Sequence, residues 1–520
     1  MGTIGWIDYS IIIFSVVIAI FIGMYFTRRQ KTSNKFFTGG GNVPSWAIGL
    51  SIMATLISSI TFLAYPATGY KSNWILLVQG LMVPLVLVGL IGFIVPLFRR
   101  TIGISTYEYF ERRFGLPARM YSSLAFMLMH FSKLGTVVYL MGMALGTMMG
   151  ADVLTTIWIT TIIIIVITFF GGLEGVIWMD AFQGVWLILG GLICIAIILF
   201  TAPGGPSEVF RVMNEAEKMS FGPYDMDFTK LTFIVMAFNG VFFAIQKYGT
   251  DQTIVQRYLA AKSEKEAIKA SLIGVFTSVP LWAMFMFIGS ALFAFYQLSP
   301  GLLPEGTLSE GVFPHFITTE LPVGVKGFII AALIAAAIST IASDINCLSA
   351  IGVEDFYARF KKNISDKKKL RMARIIIVVS GLLSALIATI YYFWGGEGVL
   401  GIVFGLYAIF SAGIVGMFLL GFLVPKANEK GLYVGMIVCV LFTAWATLTS
   451  TSYEVNGTKE LLVDLGNYNF THHTYMLGVY SHFVLFFVGW GASYFFKGKP
   501  VDKKLMLYGL KKQGTIEKNN

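Results

Sequence analysis

SIMATLISSITFLAYPATGY (residues 51–70) is a hydrophobic run that Ser58, Ser59 and Thr61 interrupt near its middle, with Pro66 and Gly69 following. In lipid every backbone polar group needs a partner within the protein, so a spanning helix is opened only where the freed groups line a site or a polar route. A second interruption stands in FFAIQKYGTDQ (242–252), where an apolar helix loses its character around Gln246 and Lys247. Of the Lys and Arg residues inside the apolar segments, Lys133 lies near the middle of its run and Lys247 at the second interruption, whereas Arg119, Lys230, Lys326, Arg371 and Arg374 lie at the starts of theirs. A charge at that depth is costly and is normally kept for a pathway or a binding site.

The rest of the chain has the composition of a lipid-solvated protein. Of its 520 residues 56% are hydrophobic and 13% charged, and a soluble core of that make-up is excluded. Apolar runs recur at 7–27, 45–68, 74–98, 118–148, 154–170, 177–201, 229–249, 271–297, 324–356, 371–393, 398–424, 431–450 and 475–496, thirteen expected crossings. The first is read as a retained helix: Arg28, Arg29 and Lys31 follow it instead of preceding it, and no small-residue cleavage site appears. Cys194, Cys347 and Cys439 all fall inside spans, where packing is the simpler role.

Charge sets the expected orientation. With the N-terminus outside, the inner segments (28–36, 99–119, 251–270, 357–374, 425–430 and the tail) carry about 30 of the 38 Lys and Arg, against about 6 outside. The C-terminus is then cytoplasmic and the chain crosses a cell membrane many times. The basic runs KKNISDKKKLR (361–371) and KGKPVDKK (497–504) read as solvated cytoplasmic faces able to touch anionic lipid, not as nucleic-acid contacts. The outer connections 202–228, 298–323 and 451–474 are either plain loops or short caps.

Five spans run from the second to the sixth and five from the seventh to the eleventh. Because five is odd, the second set must cross in the opposite sense. Two opened helices, each first in its set, give an all-α polytopic fold with a LeuT-type inverted five-plus-five repeat. The expected divisions are 1–44 (an extra helix and loop), 45–228 (first repeat), 229–424 (second repeat) and 425–520 (two further helices and a tail).

The ninth span supplies the facing surface. AALIAAAISTIASDINCLSA (331–350) is rich in small residues, which lets backbones approach. Within it Ser339, Thr340 and Ser343 share one side of a helix. Hydroxyls and carbonyls are hard oxygen ligands suited to a small cation, and Asp180 in EGVIWMDAFQG adds a carboxylate that does not face lipid. Asp344 is a second one. Helix-packing hydroxyls remain the plainer alternative.

The stretches FFTGGGNVPSWAIG (36–49), SSITF (58–62), STYEYFERRF (105–114), GGLEGVIWMDAFQG (171–184), DQTIVQRYLAAKS (251–263) and LPVGVKGFIIAALIAAAISTIASDIN (321–346), in this order and spacing, resemble the sodium/solute symporter family. GSALFAFYQLSPGLLP (289–304) turns the resemblance toward its bacterial sialic acid transporters, beside the bacterial galactose transporter. The resemblance implies a main Na⁺ site from the backbone of Ala54, Ile57 and Ala336 and the hydroxyls of Ser339 and Thr340. It implies a second from Asp180, Ser339 and Ser343, although Ala342 stands where the family has a hydroxyl and neighbouring Asp344 is the available substitute. For substrate it points to Ser58, Thr61, Gln79 (beside Gly80, where relatives have Gln), Gln246, Lys247 and Lys133. Lys133 takes the place of a carboxylate-binding Arg, keeping the charge without the bidentate fork.

The expected function is a sodium-driven symporter importing a small polar solute, a sugar acid such as sialic acid or a related sugar, acting as a monomer. A monocarboxylate or vitamin substrate stays open, as does a conduit or sensor that binds solute without concentrating it. No nucleophile, metal cluster or phosphate loop is read at membrane depth, and GGGN (39–42) lacks the Lys-Ser/Thr of a P-loop; an enzyme is not expected.

Overall fold

The computed structural model describes residues 4–27, 30, 32–361, 363–393, 412–455, 458–498 and 500–509. Among these, nine helices are each long and apolar enough to cross a bilayer, and the pair Ser45–Leu56 and Ser59–Lys71, bent by 60°, makes a tenth crossing. We number the principal helices α1 (Trp6–Thr27), α2 (Ser45–Leu56), α3 (Ser59–Lys71), α4 (Ile75–Thr101), α5 (Leu116–Met149), α6 (Val153–Thr201), α7 (Phe233–Gly249), α8 (Gln252–Ala260), α9 (Glu264–Leu298), α10 (Val325–Ile351), α11 (Asp366–Phe393), α12 (Ile414–Leu423), α13 (Glu429–Ser450) and α14 (Thr474–Ala492).

α6 has 49 residues, which as one straight helix would reach about 74 Å, more than twice the hydrocarbon thickness. It turns at Gly172 (φ 50°, ψ −168°), a backbone state that L side chains avoid. The turn lies against Gln30, just past the end of α1, whose side-chain amide donates to the Gly171 carbonyl. α6 is thereby the fifth and sixth expected crossings in one uninterrupted assignment. The expected eleventh crossing, 398–424, lies partly on 398–411, outside the described residues, as do Arg28, Arg29, Lys31 and the tail from 510.

α10 is the central helix: 94% of its spanning window is buried in protein. Its small residues make that enclosure possible, because neighbours meet its backbone instead of long side chains. α2 and α3 pack on α9 as a pair, through glycines that have no substitute. A Cβ at Gly289 would fall on the Pro66 carbonyl, and one at Gly69 on the Met286 carbonyl.

The connections 202–228, 298–323 and 451–474, expected on the outer face, carry short elements of their own. They hold the helices Gly205–Glu215 and Ser309–Thr319 and the antiparallel hairpin Ser452–Val455 with Thr458–Leu461. Phe313 of the second of these helices meets Phe62 of α3 with ring centroids 5.2 Å apart, so that helix sits on the later half of the broken span.

Candidate functional site: a helix break facing hydroxyls and buried ion pairs

The chain leaves helical geometry at Ile57 (φ −103°, ψ 114°) and Ser58 (φ −118°, ψ 179°). Ser58 restarts the helix as its cap: its hydroxyl accepts from the Ile60 amide (3.2 Å), and the Ser58 amide donates to the Thr61 hydroxyl (3.5 Å). Carbonyls at the end of α2 lose their partners four residues on. The Ala54 carbonyl takes only the Ile57 amide at 3.3 Å among backbone donors, and the Ile57 carbonyl accepts from Thr340 Oγ1 of α10 at 3.2 Å. Ser59 Oγ on the other side donates to the Val137 carbonyl of α5 (3.2 Å). The break therefore stands between α5 and α10, with Ala54, Ile57, Ala336, Ser339 and Thr340 all buried. Carbonyl and hydroxyl oxygens without a fixed charge are a donor set that a small monovalent cation fits. Among the described residues no group of three or more His, Cys, Asp or Glu could hold a metal.

One turn inward on α10 the chemistry becomes ionic. Asp180 of α6, fully buried, accepts from Ser51 (2.6 Å), Ser339 (2.7 Å) and Ser343 (3.5 Å). The expected second set thus comes together, but with Arg257 of α8 in its midst. The Arg257 guanidinium donates to Asp180 (2.8 Å), Ser343 (2.8 Å) and Ser51 (2.8 Å), and to the Thr253 carbonyl. Arg257, counted by sequence among the basic residues of the segment 251–270, has no exposed surface. Sequence reasoning missed Arg257 and Ser51. Their signal was the DQTIVQRYLAAKS stretch, where Asp251 caps a second short helix by accepting from the Thr253 amide (2.8 Å).

The two interior lysines are both paired. Lys133 of α5 lies 2.9 Å from Asp344, and Lys247 lies 2.6 Å from Asp251. His130, fully buried and stacked on Phe126 with centroids 3.8 Å apart, stands between the two carboxylates, 3.1 Å from Asp344 and 3.7 Å from Asp251. Asp344 accordingly faces the lysine and histidine of α5. Gln246 and Lys247 are also corrected. They belong to the last turn of a continuous α7, and the opening falls at Thr250 and Asp251. The reason is local: the Gln246 carbonyl accepts both the Thr250 amide (2.9 Å) and its hydroxyl (2.8 Å), closing the helix there. Gln246 lines a small cavity with Met129, Thr250 and Asp251. Gln79 lies on α4, half-buried, against Gly240 of α7.

Comparison with known proteins accords with this geometry. The profile described as "Sodium:solute symporter family" matches residues 36–439. The sodium/sialic acid symporter SiaT of Proteus mirabilis is 38% identical over 443 residues, 84% of this chain and 88% of that protein. The sodium/sialic acid symporter NanT of Aliivibrio fischeri is 35% identical over 468 residues, 88% of this chain and 92% of its own. A solved structure, a substrate-bound outward-open state of a Na⁺-coupled sialic acid symporter, superposes with a TM-score of 0.87 at 33% identity, covering 96% of this chain and 99% of that one. The nucleobase-cation symporter Mhp1 in a closed conformation matches at a TM-score of 0.58 and 15% identity, over 88% of this chain and 93% of that one, a likeness of fold alone.

Proposed function

The chain belongs to the sodium:solute symporter family, and from that premise we propose that it uses inward Na⁺ movement to import a sugar acid of the sialic acid class. Na⁺ takes oxygens of Ala54, Ile57, Ala336, Ser339 and Thr340. It draws the break of α2 and α3 onto α10 and so completes the substrate site beside it. Each inward Na⁺ contributes about 2.3 kcal/mol per 100 mV of membrane potential.

One observation carries the choice of an acidic solute. Of the three cations at this depth, Lys133 keeps 27% of its side chain accessible, against 12% for Lys247 and none for Arg257. Lys133 also lies one turn inward of Val137, which is bonded to the break. A carboxylate arriving there meets the one ammonium that is open to it, with Ser58, Thr61, Gln79 and Gln246 as the surrounding polar groups. Asp344 holds that ammonium in place meanwhile. His130 is positioned to keep Asp344 partnered when the lysine turns to substrate. Lys247 belongs to the ion pair with Asp251, not to the substrate. The basic-residue bias supports an N-terminus outside and a cytoplasmic C-terminus, and we read the transporter as a monomer.

The test is uptake into proteoliposomes of purified protein under an inward Na⁺ gradient, with labelled sialic acid and its uncharged analogue. Sialic acid should accumulate above its outside concentration. Lys133→Gln should weaken the acidic sugar about 5- to 150-fold, the scale of one charge-assisted hydrogen bond, and the analogue far less. Entry that only equilibrates would make the protein a conduit, and equal losses for both sugars would remove Lys133 from substrate recognition.

A further inference from the structure

A groove of about 870 Å³ opens between the turn of α6 before Gly172 and the start of α11, lined by Phe169 on one side and by Lys367, Arg371, Arg374, Val378 and Val379 on the other. That volume lies in the range of small-molecule sites, roughly 300–1,000 Å³. The two helices touch closely further out, where a Cβ on Gly381 would strike the Ile165 side chain. They part inward from that contact. The inner side is fixed by neighbours: Gln30 bonds Gly171 two residues beyond Phe169, and Ser33 donates to Asp366 (2.7 Å) at the start of α11.

The groove has two chemistries in sequence. Lys367, Arg371, Arg374 and Val378 fall at i, i+4, i+7 and i+11 and share one face of α11. Three cations at the water-facing end give way to aliphatic side chains toward the bilayer. Among the described residues none of the three cations has a carboxylate partner, and no acidic side chain lines the groove. Asp366, next to Lys367 in the chain, is engaged with Ser33 (2.7 Å), and Glu354 with Lys369 (3.0 Å). Basic side chains at the end of a spanning helix ordinarily reach out singly to water. Arg374 does not. Its guanidinium lies over the Phe169 ring, 5.2 Å from the centroid, and its Nε is buried without a hydrogen-bond partner. A buried donor left without a partner marks a missing acceptor.

We propose that this groove binds one anionic phospholipid of the inner leaflet, its phosphate held by Arg371 and Arg374 and its acyl chains lying along Ile375, Val378 and Val379. Guanidinium forks match phosphate oxygens in pairs. Ile375 and Val379, 47% and 48% exposed, present the apolar half to the bilayer and not to water. A free phosphate would use only the basic end, whereas a phospholipid uses the whole length. Seated there, the lipid ties α6 to α11.

Native mass spectrometry of the purified full-length transporter tests this. With phosphatidylglycerol added, the wild type should retain one molecule through activation that strips phosphatidylcholine. Arg371→Gln combined with Arg374→Gln should weaken that retention by at least about tenfold, the scale of two cations near an anionic headgroup. Val378→Trp, which fills the apolar half and leaves every charge, should weaken it as well. Lys430→Gln combined with Lys497→Gln, on the inner face but away from the groove, should not. Equal retention of the two lipids by the wild type, or unchanged retention in the double arginine variant, would overturn the proposal. Displacement of the bound lipid by millimolar glycerol phosphate, with the Trp variant unaffected, would overturn the phospholipid as the source of the phosphate.

Discussion

Arg257 has no exposed surface, and its nearest carboxylate, Asp180, is 77 residues away in the chain. Two charges removed from water are tolerated only when geometry and hydrogen bonds compensate their desolvation, and removing one partner typically costs about 3–5 kcal/mol. Asp180→Asn or Arg257→Gln alone should therefore lower the melting temperature strongly, and the two together less than either; a fully stable Asp180→Asn protein would place no weight on the pair. Arg257 also donates to Asp180 and Ser343, two of the three residues expected to hold a second sodium. The Na⁺ dependence of uptake should then have a Hill slope near one, and a clearly higher slope would mean that Arg257 yields its place during the cycle. The main site makes the complementary prediction. Ser339→Ala or Thr340→Ala removes one oxygen from a small set, so half-maximal uptake should need at least about fivefold more Na⁺, with expression and insertion little changed. Unaltered sodium dependence in both variants would dismiss the site.

The broken span is the element on which coupling turns. α3 meets α9 through close backbone approach at Gly69 and Gly289, and α2 meets it at Gly49 and Gly274, so both halves of the break pack on α9. α10 and α5 flank the break through Thr340 and Val137. Sodium held as proposed, by Ile57 and Thr340, would bridge two packed bodies, the broken span with α9 on one side and α10 on the other, and would not merely fill a crevice in one. Gly289→Ala drives a methyl into the Pro66 carbonyl. It should destabilise the protein by about 1–3 kcal/mol and impair uptake of every substrate alike. Normal melting behaviour with a selective loss of one sugar would contradict this packing role.

At the scale of the whole molecule, Na⁺ binding that draws the two bodies together is linked to stability. A ligand at a hundred times its dissociation constant adds about 2.7 kcal/mol to the state it binds. Saturating Na⁺, but not K⁺, should raise the melting temperature of the purified protein. An acidic sugar should raise it further only when Na⁺ is present, because the substrate site is completed by the same closure. A sugar-induced shift of equal size in K⁺ would uncouple the two sites.

The amino-acid sequence by itself determined the class, most of the described crossings and the place where the second of them opens. Lipid imposes a long apolar run for each crossing, and Ser58 and Thr61 advertise a helix restart in their own chemistry. Helical periodicity likewise put Ser339, Thr340 and Ser343 on one face before any contact was known, and the family motifs tied that face to Ala54 and Ile57. Only the tertiary structure decided which charge meets which. Lys133 finds Asp344 across 211 residues, a pairing that no period in the chain encodes. The depth of Arg257 was hidden for the same reason: a polar segment folded back into the protein has the composition of one that lies in water, and only the surrounding helices distinguish them. The seventh span opens after Lys247 and not at it because Asp251, Thr250 and the Gln246 carbonyl close one helix and start the next. That outcome rests on hydrogen bonds, to which hydropathy is blind.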